Sequence, residues 1–233
     1  MRIATGAVVI ICTATACRAR LTDPSPVSAS CNPTVLSASA AMPLFVRPFA
    51  GDYPVGNFFD HDKPVDNDTN GYVLTLCGAR DSKQVDGHPG YDFRMPEGTR
   101  LAAVADGIVF FAGLEPPHYC APLNRTVQAL LVEIEHRAPS GESFISAYGH
   151  LSRVDVERGA SVTEGTAIGL SGNTGCSGTP HLHFGVARAG TEGNYRLIDP
   201  YGWHAASPDT WETDPRGAAS VWLWKDGAAP ALR

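Results

Sequence analysis

The chain has 233 residues, 43% of them hydrophobic, and 18 Lys and Arg against 24 Asp and Glu give a formal net charge of −6. That length supports one well-packed domain with extensions, or at most two small ones, and the single domain is the simpler expectation. The acidic balance excludes the basic footprint of a nucleic-acid-binding protein, and no stretch beyond the N-terminus approaches the roughly 20 apolar residues of a transmembrane helix.

Residues 1–16 read as a signal peptide. They hold one basic residue, Arg2, then the apolar run Ala7-Val8-Val9-Ile10-Ile11, and end in Ala14-Thr15-Ala16 before Cys17. The apolar part is too short to span a membrane. Ala-Thr-Ala-Cys resembles a bacterial lipoprotein cleavage site, which would place a lipid on Cys17 and attach the chain to a membrane there. The Leu usual three residues before such a cysteine is missing, so simple secretion with cleavage near Ala16 stays open. Both routes put the product outside the cytoplasm, in the periplasm, the cell envelope or the medium. Losing Arg2 with the signal leaves 17 basic against 24 acidic residues, a net of −7.

Residues 17–43 are rich in Ser, Ala, Pro and Thr without periodicity and are expected to form a disordered tether. Residues 44–83 carry Phe45, Val46, Phe49, Phe58, Phe59, Val73, Leu74 and Leu76, enough apolar surface for an N-terminal extension that packs on a core. Within it, Asp66-Asn67-Asp68-Thr69-Asn70-Gly71 matches the first half of a calcium loop. Its twelfth position is Cys77 where a bidentate Glu is required, so a solvated Asx-rich turn is favoured over a metal site.

Residues 84–190 read as short strands punctuated by Gly and Pro: Leu101 to Val104, Gly107 to Ala112, Val127 to His136, Ser143 to Tyr148, Ala167 to Leu170 and Leu182 to Ala187. In Leu130 to Glu135 apolar and acidic residues begin to alternate, as in a strand with one wet face. No segment has a convincing helical period, and turns at Gly159, Gly165 and Gly172 give the spacing of an antiparallel all-β domain. In the tail, residues 191–233, Trp203, Trp222 and Trp224 are expected to clamp the chain onto the domain surface rather than to bind a ligand.

Two stretches carry candidate chemistry. In Thr179-Pro180-His181-Leu182-His183-Phe184, a strand would set His181 and His183 side by side on one face, with Leu182 and Phe184 packed on the other. In Gly87-His88-Pro89-Gly90-Tyr91-Asp92-Phe93, His88 and Asp92 supply nitrogen and oxygen donors across a turn. Those two and one strand histidine would make three protein ligands, the number that leaves a fourth position on a catalytic zinc open. A further histidine, His150, follows the apolar run that ends at Tyr148-Gly149.

His-x-x-x-Asp, a lone His followed by Leu, and His-x-His after a Gly- and Ser-rich loop occur here in that order, and together they resemble the LytM/lysostaphin-type zinc endopeptidases. The resemblance covers about residues 84–189. It implies an antiparallel sheet with a narrow groove, and hydrolysis of peptide bonds in bacterial peptidoglycan with one Zn²⁺ per chain, most simply as a monomer. Carried over by position, it makes His88, Asp92 and His183 the metal ligands and His150 and His181 the unliganded catalytic histidines, with the base not assigned between them. His61, His118, His136 and His204 match no family position and are expected to be structural or solvent-facing. Relatives often place a tyrosine several residues before the first ligand. Asp81-Ser82-Lys83-Gln84 has none, so either Tyr91, Tyr119 or Tyr148 substitutes or that contribution is absent.

The alternative from another class is a non-catalytic wall-binding or adaptor module that activates other hydrolases, which the complete ligand set disfavours. Of the six cysteines, Cys12 lies in the signal and Cys17 is the lipidation candidate. The other four permit three connectivities, of which Cys120–Cys176 in the core and Cys31–Cys77 N-terminal to it are expected.

Overall fold

The computed structural model describes residues 41–64, 70–190 and 194–233. The expected signal peptide, most of the tether, Cys12, Cys17, Cys31 and residues 66–69 of the calcium-like loop lie outside the described residues. In chain order the strands are β1 (Ala41–Phe45), β2 (Val55–Asn57), β3 (Val73–Leu74), β4 (Arg80–Asp81), β5 (Tyr91–Phe93) and β6 (Arg100–Ala102). Then come β7 (Gly107–Leu114), β8 (His118–Cys120), β9 (Arg125–Val127), β10 (Leu130–Arg137), β11 (Ser143–Gly149) and β12 (Arg153–Val154). The last are β13 (Ser161–Val162), β14 (Ala167–Leu170), β15 (Leu182–Ala189), β16 (Tyr195–Ile198) and β17 (Trp222–Trp224), with one four-residue helix, α1 (Thr210–Thr213), before β17.

The expected antiparallel all-β fold is what forms. Its main sheet has the order β13-β7-β10-β11-β15-β5-β2, with β16 also on β15. The far edge of β15 is therefore shared, its first residues pairing with β5 and its last with β16. A second sheet, β12-β14-β6, stands apart from it. Along β15, Leu182, Phe184 and Val186 are fully buried in one hydrophobic core with Phe93, Leu101, Ile134 and Phe144. The period of two then sends His183 to the opposite face.

β1 pairs in parallel with β17, Ala41 opposite Trp222 and Phe45 opposite Trp224. β1 thus reaches into the stretch expected as tether, where Ala41–Phe45 pairs with a strand from the far end of the chain. Trp211 and Trp224 are buried in the same core as Phe45 and Phe59. The wet face expected for β10 is dry at Glu133, which is buried. β10 is an inner strand between β7 and β11, and Tyr195 of β16 reaches over to donate to Glu135 at 2.8 Å.

A buried polar knot ties the two ends of the chain to the sheet. His61 Nδ1 lies 3.0 Å from Asp209 Oδ2 and its Nε2 3.0 Å from Asp199 Oδ2, the same oxygen that accepts the Tyr91 hydroxyl at 2.6 Å. Asp209 also caps α1 by accepting from the Trp211 N–H. His136 is structural too, its Nδ1 on the Asp106 carbonyl and its Nε2 on Ser146 Oγ.

Candidate metal centre and active site

Three strands bring the site together. β5 and β15 pair in the register Asp92 opposite His183, and β15 and β11 in the register His183 opposite Gly149, so His150 leaves β11 beside the same spot. Gly90 lets β5 approach this closely. A Cβ there would stand 2.4 Å from the Phe184 carbonyl oxygen, closer than real side chains come. His150 has a left-handed backbone, φ 63°, a conformation that costs a non-glycine residue about 1–2 kcal/mol and persists where the surroundings hold it. The next residue supplies that hold, because Leu151 is fully buried and its N–H bonds the Leu130 carbonyl at 3.0 Å.

His88 Nε2, Asp92 Oδ1 and His183 Nδ1 form a nearly equilateral triangle with edges of 3.0, 3.1 and 2.9 Å. His88 Nδ1 donates to the Phe58 carbonyl at 2.9 Å, which leaves a lone pair on Nε2 in the neutral ring. Three acceptor atoms aimed at one point repel unless a proton or a cation stands among them. The donor set of two imidazole nitrogens and one carboxylate oxygen, with those spacings, fits a metal ion with bonds of about 2.0–2.2 Å. Burial alone would raise the Asp92 carboxyl. The surrounding imidazoles, His88 and His181 through their charge and His183 and His88 through hydrogen bonds, hold it well below the usual carboxylate range. The His183 imidazole is lowered, by burial first.

Two more histidines border the triangle. His181 Nε2 lies 3.5 Å from Asp92 Oδ1, and the His150 ring is 4.7 Å from that of His181 and 6.0 Å from that of His183. Backbone carbonyls fix the tautomers of both, since His150 Nδ1 donates to Thr174 O at 2.6 Å and His181 Nδ1 to Thr179 O at 2.8 Å. Each neutral ring therefore carries its lone pair on Nε2. Burial, then the neighbouring His181 and His183, pushes the His150 imidazole down to about 3, so it stays neutral around pH 7. His181 is the most open of the four, with 11% of its side chain exposed.

The loop from Ser171 to Pro180 supplies those carbonyls and is itself anchored. Cys120 at the end of β8 is disulfide-bonded to Cys176, as expected, with Cα atoms 5.4 Å apart. Cys77 is also disulfide-bonded, and its expected partner Cys31 lies outside the described residues. Thr174 Oγ1 donates to the Leu151 carbonyl and accepts from the Leu130 N–H. Ser177 Oγ sits 3.3 Å from His181 Nδ1.

All five sequence-predicted site residues thus meet at one place. None of the three tyrosines considered as replacements directs its hydroxyl there: Tyr91 donates to Asp199, Tyr148 accepts from the Val104 N–H and Ser146, and Tyr119 donates to Asn124. Sequence reasoning missed Asn57, whose Nδ2 donates to Asp92 Oδ2 at 2.7 Å. No motif marks it, since its place depends on β2 pairing with β5.

Residues 86–199, which contain the triangle and both flanking histidines, match Peptidase family M23. The chain is 37% identical over 103 residues to the peptidoglycan DD-endopeptidase ShyA of Vibrio cholerae, covering 44% of this chain and 21% of that protein. It is 28% identical over 131 residues to the cell division protein DipM of Caulobacter vibrioides, covering 56% of this chain and 19% of that one. The chain therefore spans only about a fifth of the length of these two relatives. Among solved structures, the catalytic domain of lysostaphin from Staphylococcus simulans aligns with a TM-score of 0.42 at 25% identity, covering 64% of this chain and 89% of that one.

Proposed function

We propose that this chain is a zinc-dependent endopeptidase that hydrolyses peptide bonds in bacterial peptidoglycan outside the cytoplasm, acting as a monomer with one zinc held by His88, Asp92 and His183. The observation that carries this reading is the 3 Å triangle of three acceptor atoms with two further imidazoles at its rim. The match of residues 86–199 to Peptidase family M23 and the likeness to a peptidoglycan DD-endopeptidase support the reaction and the substrate class. Zinc, when bound, lowers the pKa of a coordinated water toward about 7 and polarises a carbonyl.

The chain's own residues do the proton work. With Nδ1 of His150 and His181 engaged on carbonyls, proton transfer runs through Nε2. One of the two takes the proton of the attacking water, and the other steadies the developing oxyanion or protonates the leaving amine. Asp92 keeps its negative charge toward the ligand position through Oδ1, and the burial of His88 and His183 excludes bulk water from behind them.

Zinc content and turnover on purified peptidoglycan, measured on the parent and five variants, test the assignment. His88→Ala, Asp92→Ala and His183→Ala are expected to lose zinc and activity together. His150→Ala and His181→Ala are expected to keep near-stoichiometric zinc while hydrolysis falls about 10²- to 10⁴-fold. A parent without turnover on purified peptidoglycan would overturn the enzyme reading in favour of an adaptor, and five variants as active as an active parent would overturn the site assignment.

A further inference from the structure

Most of the shell behind the proposed ligands comes from outside the segment that matches the family. Asn57, Phe58 and Asp60 all precede residues 86–199, and each touches the His88-to-Asp92 turn. Asn57 Nδ2 donates to Asp92 Oδ2 at 2.7 Å, while its Oδ1 accepts from the Val85 N–H at 3.2 Å. The Phe58 carbonyl takes the His88 Nδ1 proton, and the Phe58 N–H is held by Gln84 Oε1 at 2.7 Å. Asp60 is fully buried. Its N–H donates to the His88 carbonyl at 2.9 Å, and its Oδ2 accepts from the Gly87 N–H at 2.9 Å. Its Oδ1 gathers the N–H groups of Asp62 and Leu74, so the turn is bonded to a carboxylate that is itself immobilised.

Asn57 is the member with a direct consequence for the ligands. The Val85 N–H can only donate, so the amide oxygen must face it and the NH₂ must face Asp92. A free carboxylate can swing about its terminal torsion and present either oxygen or both. With Oδ2 tied to Asn57, Oδ1 alone faces His88 and His183. Pairing of β2 with β5 places Asn57 beside Asp92, so the orienting group is as rigid as the sheet.

We propose that Asn57 is a positioning residue of the metal centre, setting Asp92 as a one-oxygen ligand, and that Asn57–Asp60 is an outer shell this chain's N-terminal extension contributes to the peptidase domain. The inference rests on the zinc reading above. Partners of this kind are worth about 10- to 100-fold in metal affinity.

The test is competition for zinc between a chelator and the full chain, comparing the parent with Asn57→Ala and Asn57→Ser, beside thermal unfolding of the metal-free proteins. Zinc affinity is expected to fall 10- to 100-fold in both variants. A merely structural role for Asn57 would lower the melting temperature of the metal-free protein and leave zinc affinity of the folded protein at the parental value, and that result overturns the proposal. If Asn57→Ala does not fold, Asn57→Ser supplies the measurement, because its short hydroxyl keeps polarity in the site without reaching Asp92. A parent that holds no zinc overturns the zinc reading and this inference with it. A parent that holds zinc and variants that hold it equally well overturn this inference alone.

Discussion

The buried His61 makes a prediction whose size follows from its surroundings. Burial by itself would pull the imidazole down, but hydrogen bonds and charge from Asp199 and Asp209 outweigh it and push the group from 6.5 up to about 9. Both ring nitrogens face carboxylates, so the folded ring is a cation. Below pH 6.5 the ring is protonated in the folded and unfolded chain alike, and the full stabilisation is present. Between 6.5 and about 9 only the folded chain keeps the proton, so stability falls as pH rises, and above 9 the contribution is gone. The interval from 6.5 to about 9, at 1.36 kcal/mol for each pH unit, corresponds to about 3 kcal/mol. For a chain of this size that is about 6–12 °C in melting temperature. The assay is thermal unfolding of chelator-treated protein at pH 6.0 and 9.5, for the parent and for His61→Gln, so that groups titrating in both proteins cancel. The parent is expected to lose about 3 kcal/mol more than the variant across that interval. Equal losses, or a His61→Gln protein as stable as the parent at pH 6.0, would refute the reasoning.

Reducing the Cys120–Cys176 bridge releases a loop closed over a sequence separation of 56 residues, which loop-closure entropy values at about 4 kcal/mol. Unfolding in urea of the parent and of the Cys120→Ala, Cys176→Ala double variant, which leaves the Cys77 bridge intact, checks that figure, and turnover is expected to drop as well because the freed loop carries the carbonyls of Thr174 and Thr179. Gly172→Ala is expected to keep zinc but lose activity. Its new Cβ would stand 2.4 Å from the Ser152 nitrogen and 2.7 Å from the His150 carbonyl oxygen, so the loop must shift away from His150 at about 1–3 kcal/mol of stability. A variant with parental turnover would show that the Thr174 contact does not set the His150 ring.

The strands and the facing of their side chains were legible because they follow from short-range rules, and the meeting of His88, Asp92, His150, His181 and His183 was legible only through the family resemblance that their motifs carry. Alternation along Leu182 to Ala189 predicts which face His183 takes, and the Pro-Gly turn between His88 and Asp92 keeps two donors close. What was not legible depends on which strands become neighbours. Asn57 is an ordinary residue until β2 pairs with β5. His61 reads as surface or filler until Asp199 and Asp209 arrive from the other end of the chain. Glu133 sits in an alternating pattern that fits a half-wet strand, yet it is buried. Tyr91 was a reasonable candidate for the site from its neighbours, yet as the residue before Asp92 on a strand it must point to the other face, where Asp199 takes its hydroxyl.

The same distinction bears on how the site's chemistry is encoded. Three of its four imidazoles have their tautomer set by a backbone carbonyl, those of Phe58, Thr174 and Thr179. A carbonyl is present whatever the side chain, so the protonation pattern depends on loop shape rather than on the identity of the accepting residue. That moves the demand for particular residues from the acceptors to the groups that shape the loops: Gly90 and Gly172, where a Cβ would meet backbone, and Asp60, which gathers three N–H groups. Substituting the exposed Thr179 should therefore disturb the imidazoles less than substituting Gly172 or Asp60, and the left-handed turn at His150 holds only as long as those loops do.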